Sequence, residues 1–217
     1  MRIQGVLWDM DGVLVDTGEF HYQAWSRTLA LFQIPFSREL FHETFGMNNW
    51  GILMRLLGHE PERELYTKIS ELKEESFRKV IHGQARPLPG AVEALHYLKS
   101  KGIRQAIASS APQENIDALV DELNLRENFE AIVSAYNLAG KPAPDVFLAS
   151  AKAIGIPPQN CLVIEDAVAG VAGAKSAGMT CLAVTNTHPA EKLRQADYVV
   201  NSLLQLDAAF WEVTLCV

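Results

Sequence analysis

Apolar residues change their rhythm twice along this chain. Ile3 to Trp8 form a short continuous apolar run of strand length. From Asp16 to Arg86 the spacing becomes helical throughout. Phe20, Ala24, Leu31 and Phe32 line a first helix stopped near Pro35, and Leu40, Phe41 and Phe45 a second stopped by Gly46. Ile52, Leu53, Leu56 and Leu57 mark a third ending at Gly58. Leu65, Ile69, Leu72, Ser76 and Val80 mark a fourth between Pro61 and Gly83. The pattern predicts four amphipathic helices.

From Pro87 onward short apolar runs alternate with helical stripes. Strands are predicted at about 103–109, 131–134, 161–165, 180–184 and 197–200. Helices are signalled by Pro89-Gly90 with Val92, Leu95 and Leu98, by Pro112 with Ile116, Leu119, Val120 and Leu123, and by Pro144 with Phe147 and Ile154. Such alternation implies a doubly wound parallel sheet covered on both faces, with right-handed crossovers and reactive groups at the carboxyl ends of strands. The expected fold class is therefore α/β, Rossmann-like. One domain, 1–15 with 87–217, is interrupted after its first strand by a four-helix insert over 16–86.

Composition narrows what such a fold can do. Hydrophobic residues make up 48% of the 217, enough for a full core, and no long polar tract suggests disorder. Formal net charge is −7 and no Lys/Arg cluster exceeds two residues, which argues against nucleic-acid or anionic-membrane partners. No apolar stretch reaches the length of a membrane span or a signal-peptide core, so a cytoplasmic protein is expected. Cys161, Cys181 and Cys216 are an odd set without CxxC spacing, and buried free thiols are expected rather than disulfides or zinc ligands.

Four polar clusters follow predicted strands or open helices. The first strand ends at Asp9-Met10-Asp11-Gly12. Two carboxylates at i, i+2 in one crevice repel unless a cation or divided protonation roles intervene. Alone, the motif reads equally as an Asp-Gly turn with solvated acids. The strand IRQAIAS ends at Ser109-Ser110 before a helix, which places a hydroxyl and free N–H groups at an anion site, or else a plain helix cap. Pro142 and Pro144 stiffen the approach of Lys141 to another helix, although most lysines are simply solvated. CLVIE ends at Glu165-Asp166, a second acidic cluster that is costly beside Asp9 and Asp11 without a cation.

Together these clusters supply a nucleophile, a proton donor, a phosphate cradle, a cation and hard oxygen ligands. At this point the sequence resembles the haloacid dehalogenase-like hydrolases. DMDGVLVDT is similar to their first motif, Ser109 to the second, Lys141 to the third and Glu165-Asp166 to the fourth, in family order and spacing. The insert resembles the family's helical C1 cap, and GEFHYQAW resembles the β-phosphoglucomutase-like branch. The resemblance implies a Mg²⁺-dependent enzyme with Asp9 as covalent nucleophile and Asp11 as general acid and base. It implies Lys141 and Ser109, with Ser110 nearby, on the phosphoryl oxygens. The metal is expected on Asp9, the Asp11 backbone carbonyl and Asp166, with Glu165 either a further ligand or an orienting group. In the cap, Thr17 and His21, one helical turn apart, and Lys73 are candidates for substrate contact, each with an ordinary structural alternative; Trp25 is read as cap core.

The expected activity is hydrolysis of a small phosphomonoester, with a sugar phosphate in view, by a monomer or weak homo-oligomer. A β-phosphoglucomutase-type phosphomutase is the alternative. Against it, the mutase carries an arginine in a Gly-rich cap turn where this chain reads Phe45-Gly46-Met47-Asn48-Asn49-Trp50, with Arg55 one turn further on. A dehalogenase has no use for an acid at Asp11. A receiver-like phospho-acceptor module would carry adjacent acids on strand one and no cap.

Overall fold

The computed structural model describes residues 2–44 and 47–215. In chain order the elements are β1 (Gly5–Trp8), α1 (Gly18–Leu31), α2 (Arg38–Thr44), α3 (Asn49–Leu57), α4 (Arg63–Ile81), α5 (Ala91–Ser100) and β2 (Arg104–Ser109). They continue with α6 (Gln113–Glu122), β3 (Ala131–Ser134), α7 (Asp145–Ala153), β4 (Cys161–Glu165), α8 (Val168–Ser176), β5 (Thr180–Val184), β6 (Tyr198–Val200) and α9 (Ala208–Leu215). The chain separates into two compact units, Met1–Asp16 with Arg86–Val217, and Thr17–Ala85.

In the first unit six strands form one parallel sheet in the order β3-β2-β1-β4-β5-β6. Strand order reverses direction at β1, so β1 and β4 flank the switch point where an open α/β sheet leaves a crevice beyond its carboxyl ends. Trp8 pairs with Ile107 of β2 and Ile164 of β4, so Asp9 and Glu165 emerge side by side. Every residue of β1 and β4 is buried, as parallel strands covered on both faces require. One face packs Leu7, Ala106, Val163 and Cys181 against Phe147 and Val171. Cys161 and Cys181 are free and buried, as expected; Cys216 lies outside the described residues.

The second unit is built on α1 and α4, with Trp25, Leu29, Ile52, Leu53 and Ile69 as its core. Asn48 caps α3 by accepting from Gly51 N at 2.8 Å, and Gly58 closes it at φ 74°, a left-handed turn that glycine adopts without strain. The expected stop of α2 at Gly46 lies outside the described residues. Sequence periodicity placed Leu72 and Ser76 on the inner stripe of α4, whereas its buried face also takes in Lys73, Glu74 and Phe77. Two helices carried no clear stripe in the sequence. α8 reads VAGVAGAKS, small residues that pack closely without apolar bulk, and α9 is apolar nearly all round. Among the described residues no helix is long and apolar enough to cross a membrane.

Candidate active site

Four of the polar clusters converge at the carboxyl end of the sheet. Asp9 follows β1 directly, its N–H donating to Ile164 O at 2.9 Å, and its carboxylate is buried. Lys141 Nζ donates to Asp9 Oδ1 at 2.5 Å and to Glu165 Oε1 at 2.6 Å, linking the ends of β1 and β4. The other Glu165 oxygen, Oε2, accepts from the N–H groups of Asp166 and Ala167, both at 2.8 Å. Both Glu165 oxygens are thus engaged by protein donors. α8 passes so close that a Cβ on Gly170 would overlap the Glu165 carboxylate, so glycine makes room for it.

Asp166 is also buried, and Thr187, just beyond β5, donates its hydroxyl to Asp166 Oδ2. Gly12, at φ 79°, faces this pair: a Cβ there would overlap the Asp166 carboxylate and stand 2.9 Å from Thr187 Oγ1. Asn186 Nδ2 donates to Gly12 O at 2.8 Å. Thr187 and Asn186 were not singled out from the sequence. Their signal was the one used for the other clusters, polar residues directly after a buried strand.

The electrostatics follow from burying acids together. Burial pushes the Asp9 carboxyl up to about 7, Glu165 and Asp11 add to this, and Lys141 opposes it. Asp166 is likewise held well above the usual carboxylate range, by burial first and then by Glu165 and Asp9. Burial alone would push the Lys141 ammonium down, but Asp9 and Glu165 outweigh it and hold it above its ordinary value. Asp9, Glu165 and Asp166 each offer an oxygen, all within 4.8 Å of one another. A hard-oxygen set with surplus negative charge fits a divalent cation such as Mg²⁺; both Glu165 oxygens are bonded to protein donors, whereas Asp9 and Asp166 each have one oxygen bonded, to Lys141 and Thr187, and could hold an ion through the other.

Ser109 is fully buried at the end of β2, and its Oγ accepts from Ala111 N at 3.1 Å. It does not cap α6, whose N-cap is Pro112 without a side-chain bond. Ser110 beside it is exposed. Asp11 is half-buried on the turn after Asp9, where it forms a β-bridge with Val15.

Thr17, His21 and Lys73 belong to the second unit. Thr17 O accepts from His21 N at 2.9 Å, one helical turn on. The His21 ring stacks on Phe77 with centroids 4.3 Å apart, and Lys73 Nζ lies 5.5 Å from the same ring and 5.6 Å from that of Trp25. Lys73 is 3% exposed and holds both oxygens of Glu74, at 3.0 and 3.1 Å, while Asn49 donates to Glu74 Oε1 at 2.8 Å. Arg55 is exposed and paired with Glu43 at 2.8 Å.

Residues 3–178 match the family model described as haloacid dehalogenase-like hydrolase. A β-phosphoglucomutase from Bacillus subtilis is 33% identical over 94% of this chain and 92% of its own length. A phosphorylated carbohydrates phosphatase from Thermotoga maritima is 30% identical over 82% of each. Among solved structures, a β-phosphoglucomutase from Clostridium difficile superposes with a TM-score of 0.86 at 29% identity, over 99% of this chain and 97% of that one. The chain belongs to the haloacid dehalogenase-like hydrolases. Within them it falls in the β-phosphoglucomutase-like branch.

Proposed function

We propose that this protein is a Mg²⁺-dependent phosphatase that hydrolyses a small phosphomonoester, a sugar phosphate in the first instance, through a phosphoaspartate on Asp9. The observation that carries the reading is the buried Asp9 carboxylate, one oxygen held by Lys141, at the sheet's switch point beside Glu165 and Asp166. Relatives that include a carbohydrate phosphatase support the substrate class.

Chemistry follows from the residues. The Asp9 carboxylate attacks phosphorus in line, an acyl phosphate forms and the P–O bond to the alcohol breaks. Asp11, two residues on, donates a proton to the departing alkoxide. As a carboxylate it then takes a proton from water, which attacks the phosphorus and releases phosphate and free Asp9. Lys141 is held at the site by Glu165, with Ser109 on the neighbouring strand, and neutralises charge on the transferring oxygens. Asp9 and Asp166 would hold Mg²⁺, with the Asp11 carbonyl added by family resemblance; the ion would supply positive charge against the phosphoryl group. Glu165 then serves as a positioning group for Lys141 rather than as a ligand. Thr17, His21 and Lys73 stay candidates for substrate contact.

A phosphomutase needs a second basic clamp for the far phosphate of a bisphosphate. Asn48 and Asn49 carry no charge and bond a helix cap and Glu74, and Arg55, one turn further on, lies in an exposed pair with Glu43. The phosphatase reading is therefore preferred. A magnesium-dependent screen of phosphorylated metabolites, including β-glucose 1-phosphate with a bisphosphate primer, tests it. Free phosphate is expected; isomerised sugar without phosphate release would establish the mutase instead.

A further inference from the structure

The loop after β5 adds a group to the site that none of the four family-like motifs contains. Thr187 Oγ1 donates to Asp166 Oδ2, and Asn186 anchors the same loop to the Gly12 carbonyl at 2.8 Å. Asp166 is thereby fixed from three sides. Its own N–H is bound to Glu165 Oε2 at 2.8 Å, Gly12 packs on its carboxylate, and Thr187 occupies one of its two oxygens. Among the described residues no protein donor is found on Oδ1. A carboxylate with one oxygen accepting a hydroxyl proton, and held in one orientation, favours binding a cation through its other oxygen over chelating it with both.

That restriction bears differently on different cations. Mg²⁺ takes six oxygens in near-ideal octahedral geometry and is served by one-oxygen carboxylates, whereas Ca²⁺ takes six to eight and readily accepts both oxygens of one carboxylate. We infer that Thr187 is a positioning residue that makes Asp166 a one-oxygen donor and so biases the site toward Mg²⁺ over Ca²⁺. The inference rests on the proposed role of Asp166 as a cation ligand. Threonine suits the task because its branched Cβ restricts the rotamer that carries the hydroxyl.

The test compares the full chain, stripped with EDTA and dialysed, with Thr187→Ser, Thr187→Val and Thr187→Ala. Calorimetric titration with MgCl₂ alone and with CaCl₂ alone gives the affinity for each ion, and a melt without metal reports the fold. Loss of the hydroxyl is expected to weaken Mg²⁺ binding about tenfold, as is common for groups that orient metal ligands. Ca²⁺ binding should fall by about threefold or less, because the released oxygen can join its coordination. Thr187→Ser should stay near wild type for both ions. The alanine variant repeats the deletion without a methyl against a carboxylate, so a valine-specific folding defect does not shield the inference. Equal losses for both ions, unchanged binding in Val and Ala, or a serine variant as weak as valine would each overturn it. If the wild-type chain binds neither ion, the cation reading itself falls, and the inference with it.

Discussion

The Glu165 carboxylate occupies the space where a Cβ of Gly170 would stand. They stand five positions apart, across the turn from β4 into α8, and the contact decides whether Lys141 has a second anchor. Glycine inside a helix ordinarily costs about 0.5–1 kcal/mol relative to alanine, so helix propensity alone makes Gly170→Ala stabilising. Here the sign is expected to reverse. The added methyl must displace a carboxylate held by two N–H groups and an ammonium, or else push α8 outward. We expect a lower Tm together with a fall of at least about tenfold in kcat, since Lys141 loses its second partner. A variant as active as wild type and more stable would show that Glu165 does not position Lys141.

Asp9→Asn keeps the shape of the side chain and removes the nucleophile. Phosphatase activity should drop by at least about 10⁴-fold, as when other covalent nucleophiles are deleted. A phosphoaspartate trapped by rapid acid quenching and located by mass spectrometry should map to Asp9 in wild type and be absent from the variant. An adduct on any other carboxylate would contradict the assignment. Asp11→Asn is expected to slow turnover through proton transfer by about 10²–10⁴-fold and to leave binding of a phosphate analogue nearly unchanged.

Much of this site was readable because a parallel sheet collects what its strand ends carry. Asp9, Ser109 and Glu165-Asp166 each follow a buried apolar run, and the sheet order brings those ends together. Pro142 and Pro144 marked Lys141 as unusual. Thr187 carried the same signal after CLAV but is a residue type found in any turn. α8 escaped periodicity because Ala and Gly make no stripe, and its role in seating Glu165 depends on a side chain that is missing. Lys73 is read from the sequence as a candidate for substrate contact or else an ordinary helix lysine; its pairing with Glu74 gave no signal, because adjacent residues of a helix do not normally face each other. Only the packing of Trp25 and Phe77 around the ammonium reveals a buried pair.

The thiols provide a check on the sheet itself. Burial pushes the Cys161 thiol up to about 12 and raises that of Cys181 still further from its ordinary value. Thiolate is the reacting species, so both should resist iodoacetamide in the folded protein at pH 8 and alkylate fully in urea. Peptide mapping separates them from Cys216. Rapid native labelling of Cys181 would mean that β5 is not the buried strand described here.

Lys73 and Glu74 form an ion pair with side chains only 4% and 10% exposed, and such a pair is far more costly to break than to replace. Burial pushes the Glu74 carboxyl up, but Lys73, Asn49 and His21 outweigh it and hold it below the usual carboxylate range. Its contribution to stability is therefore fully present above the unfolded value and is lost as pH falls through the lower folded one. Lys73→Met removes the main compensating charge and leaves the Glu74 carboxylate buried without it, at an expected cost of about 3–5 kcal/mol at pH 7. In that variant desolvation dominates and the carboxyl moves up, so acidification protonates it and relieves the penalty. Urea unfolding should therefore show a gap between wild type and Lys73→Met that is large at pH 7 and narrows toward pH 4. A gap that stays constant with pH would mean the variant loses packing against Trp25 and Phe77 rather than charge compensation. The double variant Lys73→Met/Glu74→Gln separates the two: it should recover most of the stability at pH 7 if the stranded carboxylate is the cause.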